Sequence, residues 1–69
     1  MEKIIGKVKN WESEKGYGYI EVSGEPDVFV HFSGLEGSLR NLVPGSDVKL
    51  VVIQGVRGPQ AALVEEISE

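Results

Sequence analysis

Two short segments of this chain alternate with a period of two, and a turn cluster separates them. In Tyr17-Gly18-Tyr19-Ile20-Glu21-Val22, Gly18, Ile20 and Val22 share one face, while Tyr17, Tyr19 and Glu21 share the other. Asp27-Val28-Phe29-Val30-His31-Phe32 repeats the pattern, with Val28, Val30 and Phe32 set against Asp27, Phe29 and His31. Between them lies Ser23-Gly24-Glu25-Pro26, composed of turn formers. No helical face would gather Ile20 with Val22, or Val28 with Val30. The spacing therefore predicts an antiparallel hairpin with its β-branched residues facing inward.

The rest of the chain is compatible with that beginning. Residues 4–11 read as a first strand, followed by a turn at Glu12-Ser13-Glu14-Lys15-Gly16. Residues 33–45 form a long connection carrying Leu35, Leu39 and Leu42 and closed by Pro44-Gly45. Residues 47–54 are a β-branched run, Gly55-Val56-Arg57-Gly58-Pro59 is a turn, and residues 60–67 supply a last strand, with Ala62 and Val64 expected inward. No long stretch keeps a helical apolar period free of Gly or Pro. Five strands are too few for an ordinary sandwich, and a closed barrel removes exposed sheet edges. The reading is therefore all-β: a five-stranded antiparallel Greek-key β-barrel, of OB-fold or SH3-like type. With 69 residues and no repeat or linker, the whole chain, 1–69, is expected to be one domain.

Composition removes several alternatives. There is no cysteine and one histidine, so neither a disulfide framework nor a zinc site of four N or S ligands is expected. No run approaches the roughly 18 apolar residues of a membrane span, and the first residues lack a signal-peptide core, so a cytoplasmic location is the default expectation. No nucleophile motif accompanies His31, no phosphate loop is present, and a chain this small has little room to line a deep pocket. Enzymatic activity, a cofactor and a small-molecule substrate are not expected. The formal charge is −4, from 7 basic and 11 acidic residues, which by itself disfavours nucleic acid. Yet Lys3, Lys7, Lys9 and Lys15 gather in the first part of the chain, and Glu65, Glu66 and Glu69 at its end.

The aromatic residues are more telling. All of them, Trp11, Tyr17, Tyr19, Phe29 and Phe32, lie in the first half of the chain. Because Ile20, Val22, Val28 and Val30 claim the inside of the hairpin, Tyr17, Tyr19, Phe29 and His31 fall together on its outer face. Phe32 shares parity with Val28 and Val30 and is expected to lie mostly in the core, with an exposed edge. Cross-strand ring pairs can serve the sheet alone, at about 0.2–1 kcal/mol each. Four outward rings with lysines nearby suit a different use. Stacking an unpaired base on an aromatic ring contributes about 1–3 kcal/mol with little sequence preference. Gly16 and Gly18, alternating with the tyrosines, are expected to leave room for a flat ligand.

These residues resemble a known family. Lys15-Gly16-Tyr17-Gly18-Tyr19-Ile20 resembles the first ribonucleoprotein motif, and Val28-Phe29-Val30-His31-Phe32 the second as it occurs in cold-shock domains. Gly6-Lys7-Val8-Lys9, Ser13-Glu14-Lys15, Asp27, Pro44-Gly45 and Arg57-Gly58-Pro59-Gln60-Ala61-Ala62 extend the likeness to the bacterial cold-shock proteins over nearly the whole chain. The resemblance implies an OB-fold that binds single-stranded RNA and DNA and acts as an RNA chaperone, with effects on transcription termination and translation. It implies stacking positions at Tyr17, Tyr19, Phe29, His31 and Phe32, backbone contacts from Lys9 and Lys15, and marginal contacts from Arg57 and Gln60. Trp11 is also expected to touch ligand. Two places depart from the family: Asn10 stands where a tryptophan is usual, with Trp11 one position later, and Leu39 stands where the long connection usually carries a ring. Weaker binding or a shorter footprint than usual is expected. A monomer is expected, although the long connection would permit strand exchange between chains. The competing reading is an SH3-like module that docks proline-rich peptides; the lysines beside Tyr17 and Tyr19 speak against it.

Overall fold

A computed structural model of the chain describes residues 2–56 and 58–67. Five strands make up the fold: β1 (Ile4–Glu12), β2 (Tyr17–Glu21), β3 (Val28–His31), β4 (Asp47–Gly55) and β5 (Gly58–Glu66). They close into a barrel in the order β1-β2-β3-β5-β4, with β1 pairing β4. Four ladders are antiparallel. The fifth, between β3 and β5, is parallel and has the single registered pair Phe29↔Gln60, continued by an isolated bridge between Leu35 and Val64. The all-β Greek-key barrel expected from the alternating segments is present, in the strand order of an OB-fold.

The barrel forms because each strand offers β-branched or leucine side chains on one face. Val8, Ile20, Val28, Val30, Val48, Leu50 and Val64 are each no more than 1% exposed. Burying one such side chain contributes about 1.5–3 kcal/mol. From the long connection, Leu42 joins this core, while Leu35 and Leu39 pack against it half-buried. Among the described residues no helix is long and apolar enough to cross a membrane.

Two expectations about facing are corrected. In β5 the inward residues are Ala61 and Val64, whereas Ala62 is only half-buried. The register runs Val51↔Ala62 and then Lys49↔Glu65, so Leu50 opposes two residues of β5 and the ladder bulges there. Leu63 absorbs the extra residue with a positive φ of 53° and lies 51% exposed. In β3 the strand stops at His31, so Phe32 does not follow the parity of Val28 and Val30 into the core. It begins a single turn of 3₁₀ helix, Phe32–Gly34, and is 50% exposed.

Candidate nucleic-acid interface

The β2–β3 hairpin is in unbroken register: Tyr17↔His31, Gly18↔Val30, Tyr19↔Phe29 and Ile20↔Val28. Directly opposed residues of an antiparallel pair share a face. The buried pairs Gly18–Val30 and Ile20–Val28 therefore turn the alternate pairs, Tyr17–His31 and Tyr19–Phe29, outward. Phe29 is the centre of the resulting platform. Its ring stacks on Tyr17, with centroids 5.9 Å apart and planes inclined by 30°, and meets Tyr19 edge-on, at 5.8 Å and 71°. Both separations fall within the favourable range for ring pairs.

Phe32 extends the platform from outside the strand. Its ring lies 4.4 Å from that of His31, inclined by 33°. Gly16 makes this placement possible. It has φ +74°, its carbonyl accepts a hydrogen bond from the Phe32 N–H at 2.8 Å, and a Cβ built on it would come within 2.4 Å of the Phe32 ring. The 3₁₀ turn is capped by His31, whose Nδ1 accepts from the Ser33 N–H at 3.3 Å and lies 2.8 Å from the Ser33 hydroxyl. With Nδ1 accepting, the ring proton belongs on Nε2, which leaves that edge of His31 as a hydrogen-bond donor.

Gly18 has a different purpose from the one expected. It faces inward and is buried, so it clears no space for a ligand on the platform. A Cβ there would lie 2.2 Å from the Asn10 carbonyl oxygen and 3.0 Å from the Trp11 ring. Gly16 likewise makes room for Phe32 rather than for a base.

The sheet carries the platform sideways onto β1 and β5. The β1–β2 register skips between Val8 and Asn10, then runs Asn10↔Tyr19, Trp11↔Gly18 and Glu12↔Tyr17. Asn10 and Glu12 therefore stand on the outer face beside Tyr19 and Tyr17, and both are exposed. Trp11, opposite inward Gly18, has the inner parity. It packs half-buried against the core at the end of the barrel, and its Nε1 donates to Asn41 Oδ1 at 3.1 Å. Across the other seam, Gln60 stands level with Phe29. One lateral row thus reads Asn10, Tyr19, Phe29, Gln60, and the next reads Glu12, Tyr17, His31.

The structure brings Tyr17, Tyr19, Phe29, His31, Phe32 and Gln60 together. It sets Trp11 on the opposite face of the sheet from Tyr17 and Tyr19, and Arg57 lies outside the described residues. Lys15 is exposed in the β1–β2 turn, and among the described residues it forms no salt bridge. Asp27 pairs with Lys9: Nζ to Oδ2 is 2.7 Å, with both side chains well exposed. The hydrogen bond to Asp27, and secondarily its charge, hold the Lys9 pKa above the ordinary lysine value. A phosphate approaching Lys9 must compete with that carboxylate. Nothing in the sequence pattern marks Asn41 as the anchor of Trp11, or Asn10 and Glu12 as outward neighbours of the tyrosines. The bulge in β1 decides both facings, and no Gly or Pro at residues 8–10 marks it.

The model of the "'Cold-shock' DNA-binding domain" matches residues 4–67. Cold shock protein CspB of Geobacillus stearothermophilus is 51% identical over 63 residues, covering 90% of this chain and 96% of the relative. Cold shock protein CspD of Bacillus subtilis (strain 168) is 48% identical with the same coverage, and cold shock-like protein CspLB of Listeria monocytogenes is 49% identical, again over 90% of this chain. A barrel of this strand order, with a ring platform on its central hairpin and a family match from end to end, places the chain in the cold-shock domain family of nucleic-acid-binding proteins.

Proposed function

We propose that this protein binds unpaired RNA and DNA by stacking bases on the Tyr17–Tyr19–Phe29–His31–Phe32 platform, and that it acts as an RNA chaperone. The observation that carries the reading is the ring cluster centred on Phe29, held outward by an unbroken ladder. Duplexes bury base faces against one another, so a surface that takes those faces binds the open strand in preference. Preferential binding alone shifts a weak hairpin toward its open form, with no ATP, metal or covalent step. Effects on transcription termination and translation would follow from the same melting. Monomeric action in the cytoplasm, without catalysis, fits this reading.

Stacking should outweigh counterion release, since the net charge is −4 and Lys9 is engaged by Asp27. The test is a titration of the full chain into short labelled oligodeoxycytidines, read by fluorescence anisotropy at two salt concentrations. Affinity should stop rising with length at ~4–7 nucleotides. The salt slope should correspond to only ~2–4 neutralised phosphates. A steep slope, or tighter binding to duplex than to single strand, would overturn the proposal. Displacement of the oligonucleotide by a proline-rich peptide would favour the SH3-like alternative.

A further inference from the structure

The outer residues of β1 flank the ring platform. Asn10 and Glu12 border Tyr19 and Tyr17 in direct register, on the same side of the sheet, and both are exposed. The backbone of Glu12 is fixed by the turn, because its carbonyl accepts from the N–H of Lys15 at 3.1 Å and of Gly16 at 2.7 Å. Among the described residues its carboxylate takes part in no salt bridge. Resting on the stacking reading above, we infer that Glu12 is a specificity-determining residue: it makes the subsite over Tyr17 select bases that carry an exocyclic amino group and disfavour thymine and uracil.

The argument is one of donor and acceptor inventory. A carboxylate only accepts hydrogen bonds. Cytosine offers it the N4 amino group, adenine the N6 amino group, and guanine an N–H and an amino group side by side. Thymine and uracil present two carbonyl oxygens flanking a single N–H, so a carboxylate at their edge meets acceptors. Asn10, one row away, has an amide with both donors and an acceptor, which suits the edge of any unpaired base and imposes no such choice. The two residues therefore divide the work along β1: Asn10 favours a free pairing edge of any kind, and Glu12 filters for amino groups. The charge of Glu12 also repels phosphate, but that penalty falls on all sequences alike.

This distinction gives the test. Full-length protein and Glu12→Gln are titrated with unstructured heptamers of deoxycytidine and of thymidine. The substitution keeps shape, removes the charge and adds a donor. The natural protein should bind the cytidine heptamer about tenfold more tightly than the thymidine one, the scale of one good edge contact. In Glu12→Gln the ratio should fall to about twofold, chiefly through a gain for thymidine. A heptamer of N4,N4-dimethylcytidine, which lacks the amino hydrogens, should bind the natural protein like thymidine. If Glu12→Gln tightens both heptamers by the same factor, Glu12 acts only on phosphate and the inference is overturned, while the stacking reading survives. If neither heptamer binds, the stacking reading fails and takes the inference with it.

Discussion

The β2–β3 and β4–β5 hairpins make the same contribution inside the barrel and opposite ones outside it. Ile20, Val28 and Val30 from the first, and Val48, Leu50 and Val64 from the second, are all fully buried. On the outside, the first hairpin gathers rings in two level rows, whereas the second exposes scattered aliphatics such as Ile53 and Leu63. The ladder explains part of the difference. β2 and β3 pair without interruption, so every second residue returns to the same face and the rings stay aligned. β4 and β5 break register between Lys49 and Val51, and the strand turns over there. A stacking surface built on the second hairpin would lose its alignment partway along.

The sharpest way to break this contrast is to disturb the glycine beneath the platform. Gly18→Ala drives a Cβ into the Asn10 carbonyl, a backbone atom that cannot swing away. It should cost about 3 kcal/mol or more in urea unfolding. Gly58→Ala in the second hairpin, where a Cβ meets nothing within 4 Å but φ is +106°, should cost only about 1–2 kcal/mol. Equal losses would show that the two hairpins are under the same packing constraint.

Next in size is the loss of a platform ring. Phe29→Ala should weaken binding to a cytidine heptamer by about 1–3 kcal/mol with the fold retained by circular dichroism. Ile53→Ala on the other hairpin should leave binding unchanged in the same titration. Unfolding of Phe29→Ala would mean that the ring belongs to the structure first.

A smaller effect, of opposite sign, is expected at the bulge. Leu63 holds a left-handed conformation that is costly for a leucine and tolerated by asparagine, so Leu63→Asn should stabilise the protein by about 0.5–1 kcal/mol. A lower melting temperature would show that the exposed leucine earns its place by contacts outweighing the strain.

The smallest effect concerns the ion pairs of Lys3 with Glu36 and Glu65, which tie the start of the chain to the long connection and to β5. The hydrogen bond from Lys3, and its charge, lower the Glu65 pKa below the ordinary glutamate value. A carboxylate whose folded pKa is lowered stabilises the fold above its unfolded pKa, and that contribution fades as pH falls through the folded value. Lys3→Met should therefore lower the melting temperature slightly at neutral pH. The difference from the natural protein should shrink on acidification below the ordinary glutamate range, and at neutral pH with high salt. A difference unchanged by acid would assign the effect of Lys3 to its aliphatic stem.

Legibility in the sequence followed the same division. Where the ladder is unbroken, alternation alone gives the facing of Tyr17, Tyr19, Phe29 and His31, and the turn cluster gives the hairpin. Bulges defeat it, because an extra residue in one strand reverses parity with no marker in residue type. That is why Ala61 rather than Ala62 points inward, and why Asn10 shares the face of Tyr19 while Trp11 turns to the core. Phe32 escaped for another reason: its position depends on the backbone of Gly16 and on the His31 cap, contacts between residues that no local pattern links. Alternation with the tyrosines points to the glycines as clearance for a ligand, whereas the structure uses them as clearance for Phe32 and for β1.

The parallel junction between β3 and β5 is the thinnest ladder of the barrel, and its one registered pair, Phe29 with Gln60, lies at the β5 side of the ring platform proposed to bind bases. A nucleotide resting on Phe29 and touching Gln60 would span that junction like a suture. Occupancy would then brace the protein mechanically where its own backbone bonding is sparsest, so that the cargo becomes part of what keeps the container shut.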